Sequence, residues 1–207
     1  MDDVVYLLSP ARSDGARARM LLNPTATFDL AVKLRSTDGA PLGEIFSFLS
    51  GLYFRGKLEY ACAHTDASQQ QSRIKIITSN RGLCSPLDQV THDDLATFST
   101  VDIAGGDPRY LAPLERDVER LARTVADSTN IVLLGSIATG KYVDTLLEKF
   151  GERLLFPADF VGRGDMSRGG LLLRHARARA LLAYTPVLGA VRHGKRPPRL
   201  DPVPRRS

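Results

Sequence analysis

Ile131-Val-Leu-Leu-Gly-Ser-Ile-Ala-Thr-Gly-Lys-Tyr142 decides how the rest of the chain is read. An apolar run of strand length stops at Gly135. A polar loop then leads into Tyr142 to Phe150, where Val143, Leu146, Leu147 and Phe150 share one helical face before Gly151. Strand, loop and helix in that order aim unpaired backbone N–H groups and the positive end of the helix dipole at one spot, where an anion such as phosphate can sit. The spacing of Gly135, four residues, Gly140 and Lys141 is that of a phosphate loop. Position 142, however, is Tyr and not the Ser or Thr that would hold Mg²⁺. No later strand ends cleanly in an aspartate, Asp159 being a poor candidate for that role. Three readings follow: a divergent nucleoside triphosphatase, an anion site without triphosphate hydrolysis, and a purely structural turn.

Outward from this stretch, apolar strand patterns alternate with helical ones. Val4 to Leu8 reads as a buried first strand ending at Ser9-Pro10, followed by the Arg-rich segment Ala11 to Arg19. Phe28 to Arg35 has helical spacing. Pro41 to His64 is the longest helical candidate, with Gly51 and Gly56 as possible breaks and a polar and aromatic set of Ser47, Ser50, Tyr53, Arg55, Lys57 and Tyr60. Arg73 to Ser79 is a strand delivering Thr78, Ser79 and Asn80 to a turn at Asn80-Arg-Gly82. Phe98 to Ile103 reads as a further short strand, Leu114 to Val125 as a helix, and Arg153 to Phe156 as a late strand. Alternation of this kind predicts a mostly parallel sheet covered on both faces.

After Gly151 the pattern changes. Pro157 to Gly170 reads as a loop in which Asp159, Arg163, Asp165, Ser167 and Arg168 stand among four glycines. Arginine forks suit phosphate or carboxylate, and an aspartate can orient a ribose, a base edge or a water. The plain alternative is an internal Arg–Asp network that pins a long loop. Leu171 to Val187 reads as a hairpin or one helix, and the hairpin is preferred because the flanking glycines and Tyr184-Thr-Pro186 suit strand ends.

At 207 residues the chain is long enough for one core, and a domain of this size buries roughly 70% of the surface its unfolded chain would expose. Its hydrophobic share of 43% and charged share of 25% are ordinary for a globular protein. No apolar run approaches the roughly 20 residues needed to span a bilayer. Met1-Asp-Asp carries acid where a secretory signal carries base, so a cytoplasmic protein without a membrane partner is expected. Cys62 and Cys84 are expected as free thiols. His64, His92, His175 and His193 show no metal-ligand spacing, His92-Asp-Asp94 reads as a solvated helix start, and neither metal nor cofactor is called for. The formal net charge of +5 resides in the tail, where Arg192, Lys195, Arg196, Arg199, Arg205 and Arg206 face one acid, Asp201. Four prolines make that tail an extended segment, either a solubilising terminus or a contact for nucleic-acid phosphates.

Three segments resemble a loose group of bacterial and archaeal domains related to the peroxide stress protein YaaA and to a domain of archaeosine synthase. They are Val5-Tyr-Leu-Leu-Ser9 with Arg12; Ser50-Gly-Leu-Tyr-Phe-Arg55 leading through Tyr60-Ala61 to Ile76-Ile-Thr-Ser-Asn-Arg-Gly-Leu83 and Pro86; and Ile131 to Leu147. The resemblance implies a uracil-glycosylase-like α/β sandwich with a role connected to nucleic acid. It puts Ser9, Arg12, Ser50, Arg55, Ser79 and Gly82 near a site. Ser9 and Arg12 stand where that group often has cysteine and lysine, and no water-activating glycosylase motif is recognisable.

The expected architecture is a single α/β domain over 1–191 with a central, mostly parallel sheet flanked by helices, a C-terminal hairpin, and a basic Pro-rich tail over 192–207. The expected function is an enzyme acting on a nucleotide or nucleic-acid base by N-glycosidic or hydrolytic chemistry. Ser9, Arg12, Ser50, Arg55, Ser79, Asn80, Gly135, Ser136, Lys141, Arg163, Ser167 and Arg168 would bind substrate or phosphate, with Asp165 or Asp159 as general base or water-orienter. The alternatives are a non-catalytic nucleic-acid or nucleotide-binding module and a divergent nucleoside triphosphatase.

Overall fold

The computed structural model describes residues 3–138, 140–198 and 200. In chain order its elements are β1 (Val4–Leu8), α1 (Ala16–Leu22), α2 (Asp29–Arg35), β2 (Ala40–Pro41), α3 (Leu42–Ser50), α4 (Leu52–Ala63), α5 (Gln70–Arg73), β3 (Ile74–Ile77), β4 (Leu83–Cys84), β5 (Gln89–Val90), α6 (His92–Phe98), α7 (Pro108–Thr124), β6 (Asn130–Leu134), α8 (Gly140–Phe150), β7 (Leu154–Pro157), α9 (Asp165–Ala178) and β8 (Tyr184–Pro186). Among these residues no helix is long and apolar enough to cross a membrane.

The strands that read as continuous apolar runs form the parallel centre of one sheet, ordered β4-β3-β1-β6-β7-β8. β1 pairs in parallel with β3 and with β6, so that Leu8 lies between Ile76 and Leu134, all three fully buried. A strand covered on both faces has no solvent side, so the polar alternation of half-exposed strands is missing here. The edge strands β4 and β8 run antiparallel, and β2 with β5 makes a separate short pair. From β1 the chain crosses to β3 on one side, whereas from β6 it crosses to β7 on the other. Right-handed crossovers in opposite directions put the intervening helices on opposite faces and open a crevice at the carboxyl ends of β1 and β6.

The helical stretch Pro41 to His64 breaks at Gly51 (φ 61), between α3 and α4, and not at Gly56. Gly56 instead permits a close helix crossing. A Cβ there would come within 2.7 Å of the Gly169 carbonyl oxygen, and one on Gly169 within 2.7 Å of that of Leu52. α4 and α9 therefore cross backbone to backbone, and the helix-weakening cost of each glycine is outweighed by the packing it permits. This crossing corrects the expected hairpin. Leu171, Leu172 and Leu173 are buried in a helix that begins at Asp165 and continues through Gly169-Gly170. The expected loop from Pro157 to Gly170 is accordingly a short 3₁₀ turn at Ala158–Phe160 followed by the first turns of α9. The later arm does become a strand, β8, anchored where the Leu182 N–H donates to the Tyr60 hydroxyl, which is itself bonded to that of Tyr184.

Two smaller differences bear on the site. Phe98 to Ile103 is no strand: Phe98 closes α6, and a loop follows. His92-Asp-Asp94 is the start of α6, with Thr91 and Asp94 in a reciprocal capping box and Asp94 paired to Arg81. The described part of the basic tail runs against the domain. Arg163 Nη1 donates to the Pro198 carbonyl at 3.3 Å, Arg192 Nη2 stands 3.7 Å from Asp144, and Leu200 packs at the margin of the core. Arg199 and 201–207 lie outside the described residues.

The glycine crossing gives a direct expectation. Gly56→Val should lower the unfolding free energy by about 3 kcal/mol or more because rigid backbone and not a mobile side chain faces the new methyl groups. Val32→Ala, at a half-exposed position of α2, should change it by about 0.5 kcal/mol or less. Denaturant titration of both variants checks the contrast.

Candidate functional site

The carboxyl ends of β1 and β6 approach each other because Gly135 has no side chain. A Cβ there would stand 2.8 Å from Ser9 Cβ and 2.9 Å from the Tyr142 hydroxyl. The Ser9 N–H continues the ladder by donating to the Leu134 carbonyl at 3.2 Å, which fixes the serine one residue past the strand. Above this junction lies a cleft of about 840 Å³. Its floor includes Ser9, Tyr53 and Tyr142. Its rim carries Arg12, Lys141, Asp165 and Arg168, and one wall is the loop Ser99 to Ala104.

Lys57 sits under the floor. It is 1% exposed, on the face of α4 turned to β1. Its Nζ donates to the Ser9 carbonyl at 2.6 Å and to Ser9 Oγ at 2.9 Å. The amine also lies over the rings of Tyr53, at 4.6 Å, and Phe54, at 4.8 Å. Among the described residues no carboxylate lies within ion-pair distance of it. Burial pulls its pKa down to about 7. The Asp165 carboxylate works against that shift and the Arg168 guanidinium with it. Tyr142 is held beside Ser9 by donating its hydroxyl to the Ser136 carbonyl at 2.9 Å, and burial raises its pKa while its contacts with Ser9 and Ser136 oppose the rise. The Tyr53 hydroxyl oxygen is buried with no hydrogen-bond partner among the described residues.

The two charged residues at the start of α9 are held differently. Arg168, with its side chain 12% exposed, lies over the Phe160 ring and donates from Nε and Nη2 to the Phe160 carbonyl. Its Nη1 stands 3.6 Å from Asp165 Oδ1, and the Asp165 side chain is 71% exposed toward the cleft mouth. On the opposite rim Lys141, in the first turn of α8, is exposed and has no carboxylate partner among the described residues. Arg12 pairs with Asp14 at 2.6 Å.

The structure thus brings Ser9, Arg12, Ser50, Ser136, Lys141, Asp165 and Arg168 to one cleft, with Gly135 in the junction beneath it. It places the other expected residues elsewhere. Asp159 is exposed outside the cleft and uses its backbone carbonyl to accept from Arg163 Nε. Arg163 also donates to Ser167 Oγ, so these two pin the turn before α9 to the tail. Arg55 faces outward from α4, 3.6 Å from Glu59. Ser79 is buried and donates to the Phe98 carbonyl at 2.9 Å, which anchors the cleft wall from behind. Asn80 is absent from the lining, and its Oδ1 is buried without a partner among the described residues. Gly82 (φ 68) is wedged against Pro113 and Asp117 of α7.

The sequence places Lys57 in a polar and aromatic set without a site role, and it marks neither Tyr142 as a floor residue nor the Ser99–Ala104 wall. A signal for Lys57 existed. Tyr53, Lys57, Tyr60 and Ala61 recur at three- and four-residue spacing, which lines the lysine up with residues that face the core, while its burial comes from the approach of α4 to β1. Among the described residues no three His, Cys, Asp or Glu side chains gather as metal ligands would. No family model, curated protein or solved structure matches the chain significantly, so the site is read from its own chemistry.

The buried amine makes stability depend on pH in a defined direction. In the unfolded chain Lys57 titrates near its ordinary 10.5, and in the folded chain near 7. Between these values the unfolded state binds the extra proton. Stability therefore rises with pH across the window, and below it the full cost of burying the ammonium is present. Wild type should gain on Lys57→Met by on the order of 1 kcal/mol per pH unit from pH 7 to 9. Urea titrations at both pH values measure the difference, and parallel behaviour of the two proteins would contradict it.

Proposed function

We propose that the protein is an enzyme acting on a nucleotide or a nucleic-acid base, by hydrolytic or N-glycosidic chemistry, in the cleft above β1 and β6. The observation that carries this reading is the convergence of Lys141, Arg168 and Asp165 on one concave site. Its volume is on the scale of small-molecule pockets, about 300–1,000 Å³, and its position is the crevice where open α/β sheets take their ligands.

Lys141 and the Arg168 guanidinium are suited to a phosphate or another anionic group, with the start of α8 adding the positive end of its dipole. Asp165, exposed at the mouth and held by Arg168, is suited to accepting a proton or orienting a water. The triphosphatase reading is weaker. The residue in the Mg²⁺-ligand position, Tyr142, is buried and its hydroxyl is engaged with the Ser136 carbonyl.

Calorimetric titration with nucleoside monophosphates should show saturable binding that weakens about 10-fold or more in Lys141→Ala and in Arg168→Ala, and that is unchanged in Arg55→Ala. Chromatography of reactions with nucleotides and mixed-sequence oligonucleotides should show release of base or phosphate, lost by about 100-fold in Asp165→Ala with binding retained. Binding without turnover, weakened instead by deleting 192–207, would favour the non-catalytic module. No binding at all would overturn the proposal.

A further inference from the structure

The floor of the cleft holds a nucleophile and an amine in contact, and neither is used by the hydrolytic reading built on Asp165. Ser9 Oγ is 2.9 Å from Lys57 Nζ, and Nζ is tethered at 2.6 Å to the carbonyl of the same serine. That second contact sets the orientation. Both contacts are donated by the amine, and its neutral form can keep a hydrogen on the Ser9 carbonyl while turning its lone pair toward Oγ, which reverses the contact with Oγ and lets it take the hydroxyl proton. Ser9 itself is largely buried, yet it lines the cleft, so its oxygen can meet a substrate seated there.

We infer that Ser9 is a covalent nucleophile and Lys57 its proton acceptor, and that the cleft processes a carbonyl ester or amide carried on an anionic, phosphate-bearing molecule. Only the substrate's carrier rests on the nucleotide reading above; the serine–lysine pair itself does not.

The step balances without any further reactant but water. As Ser9 Oγ bonds to the carbonyl carbon, its proton passes to the neutral Lys57 amine and the carbonyl π pair moves onto oxygen. The tetrahedral adduct collapses by breaking the bond to the alcohol or amine, which leaves with the proton from the Lys57 ammonium. Water then attacks the acyl-serine and gives its proton to Lys57. Oγ leaves and recovers that proton, and the carboxylic acid departs.

The surroundings fit this assignment. A lysine is a useful base only when neutral, and removing it from water is the means by which a protein makes it so. The charged and titratable groups facing Lys57 are Tyr53 on its own helix, Tyr142 from α8 through Ser9, and Asp165 and Arg168 from α9. The two from α9 carry opposite charges with opposite effects on the amine. Desolvation therefore sets its state, and burial pulls its pKa down to about 7. Tyr142 and Gly135 act as positioning residues, the first beside Ser9 Oγ, the second by leaving room for the contact.

The test uses the full chain and an alkyl fluorophosphonate, which phosphonylates activated serines, with adducts mapped by mass spectrometry. The expected result is a stoichiometric adduct on Ser9 whose rate climbs with pH through about 7, no adduct at that peptide in Ser9→Ala, and a rate about 100-fold lower in Lys57→Met. Adding methylamine to Lys57→Ala should restore part of the rate, which a merely structural lysine would not require. Absence of a Ser9 adduct in folded wild type overturns the inference. So does a rate that is flat with pH, or one that survives in a folded Lys57→Met protein. The wild-type adduct and its pH profile decide the matter even if the lysine variants do not fold. Protection of Ser9 by nucleoside monophosphates bears only on the nucleotide reading: labelling without protection keeps the serine–lysine pair and removes the nucleotide.

Discussion

Taking an amine out of water without giving it a carboxylate is costly, and a protein tolerates it only where backbone and packing hold the group in place or where its neutral form is favoured. Lys57 meets both conditions. Its Nζ caps the carbonyl that ends the central strand, and the rings of Tyr53 and Phe54 exclude solvent on its flanks. The rest of the site is arranged about that contact. β1 must stop at Leu8 for the Ser9 carbonyl to face α4, Gly135 must lack a side chain for β6 and Tyr142 to close on Ser9, and α4 must pack on β1 to deliver the lysine.

α4 is held in that position by a second constraint, the crossing of Gly56 with Gly169. Because the two backbones touch, the start of α9 is fixed relative to Lys57, and Arg168 and Asp165 come to the cleft with it. Phe160 completes the support by offering its carbonyl to two nitrogens of Arg168 and its ring to the guanidinium face. A change at either glycine would therefore act on the electrostatics of the floor as well as on the core. Stability and chemistry share these residues, which is typical where helix packing sets the geometry of a pocket.

Much of the sheet was legible from its apolar runs, because β1, β3, β6 and β7 are apolar apart from Lys75 in β3 and Asn130 at the start of β6, and a covered parallel strand leaves that signature. α9 was not legible, because Gly169-Gly170 looks like a loop until the partner helix that needs the glycines is known. For the site, the lining was readable where local order determines it: Ser9 in the floor and Lys141 on the rim lie at strand and helix ends. Asp159 and Arg163 were grouped with Asp165 and Arg168 by sequence proximity, yet the turn at Ala158–Phe160 points them away, toward solvent and the tail. Lys57 required the tertiary fold, since only the approach of α4 to the end of β1 distinguishes a buried amine from a surface lysine.

The chemistry of the cleft depends on the protonation state of one side chain, Lys57. Nuclear magnetic resonance of the protein carrying ¹³C at lysine Cε, with the Lys57 signal assigned by its loss in Lys57→Met, follows that state directly as pH is varied. The account predicts a Lys57 titration midpoint near 7, well apart from the exposed lysines. A midpoint at about 10, the value of an ordinary solvated lysine, would contradict it.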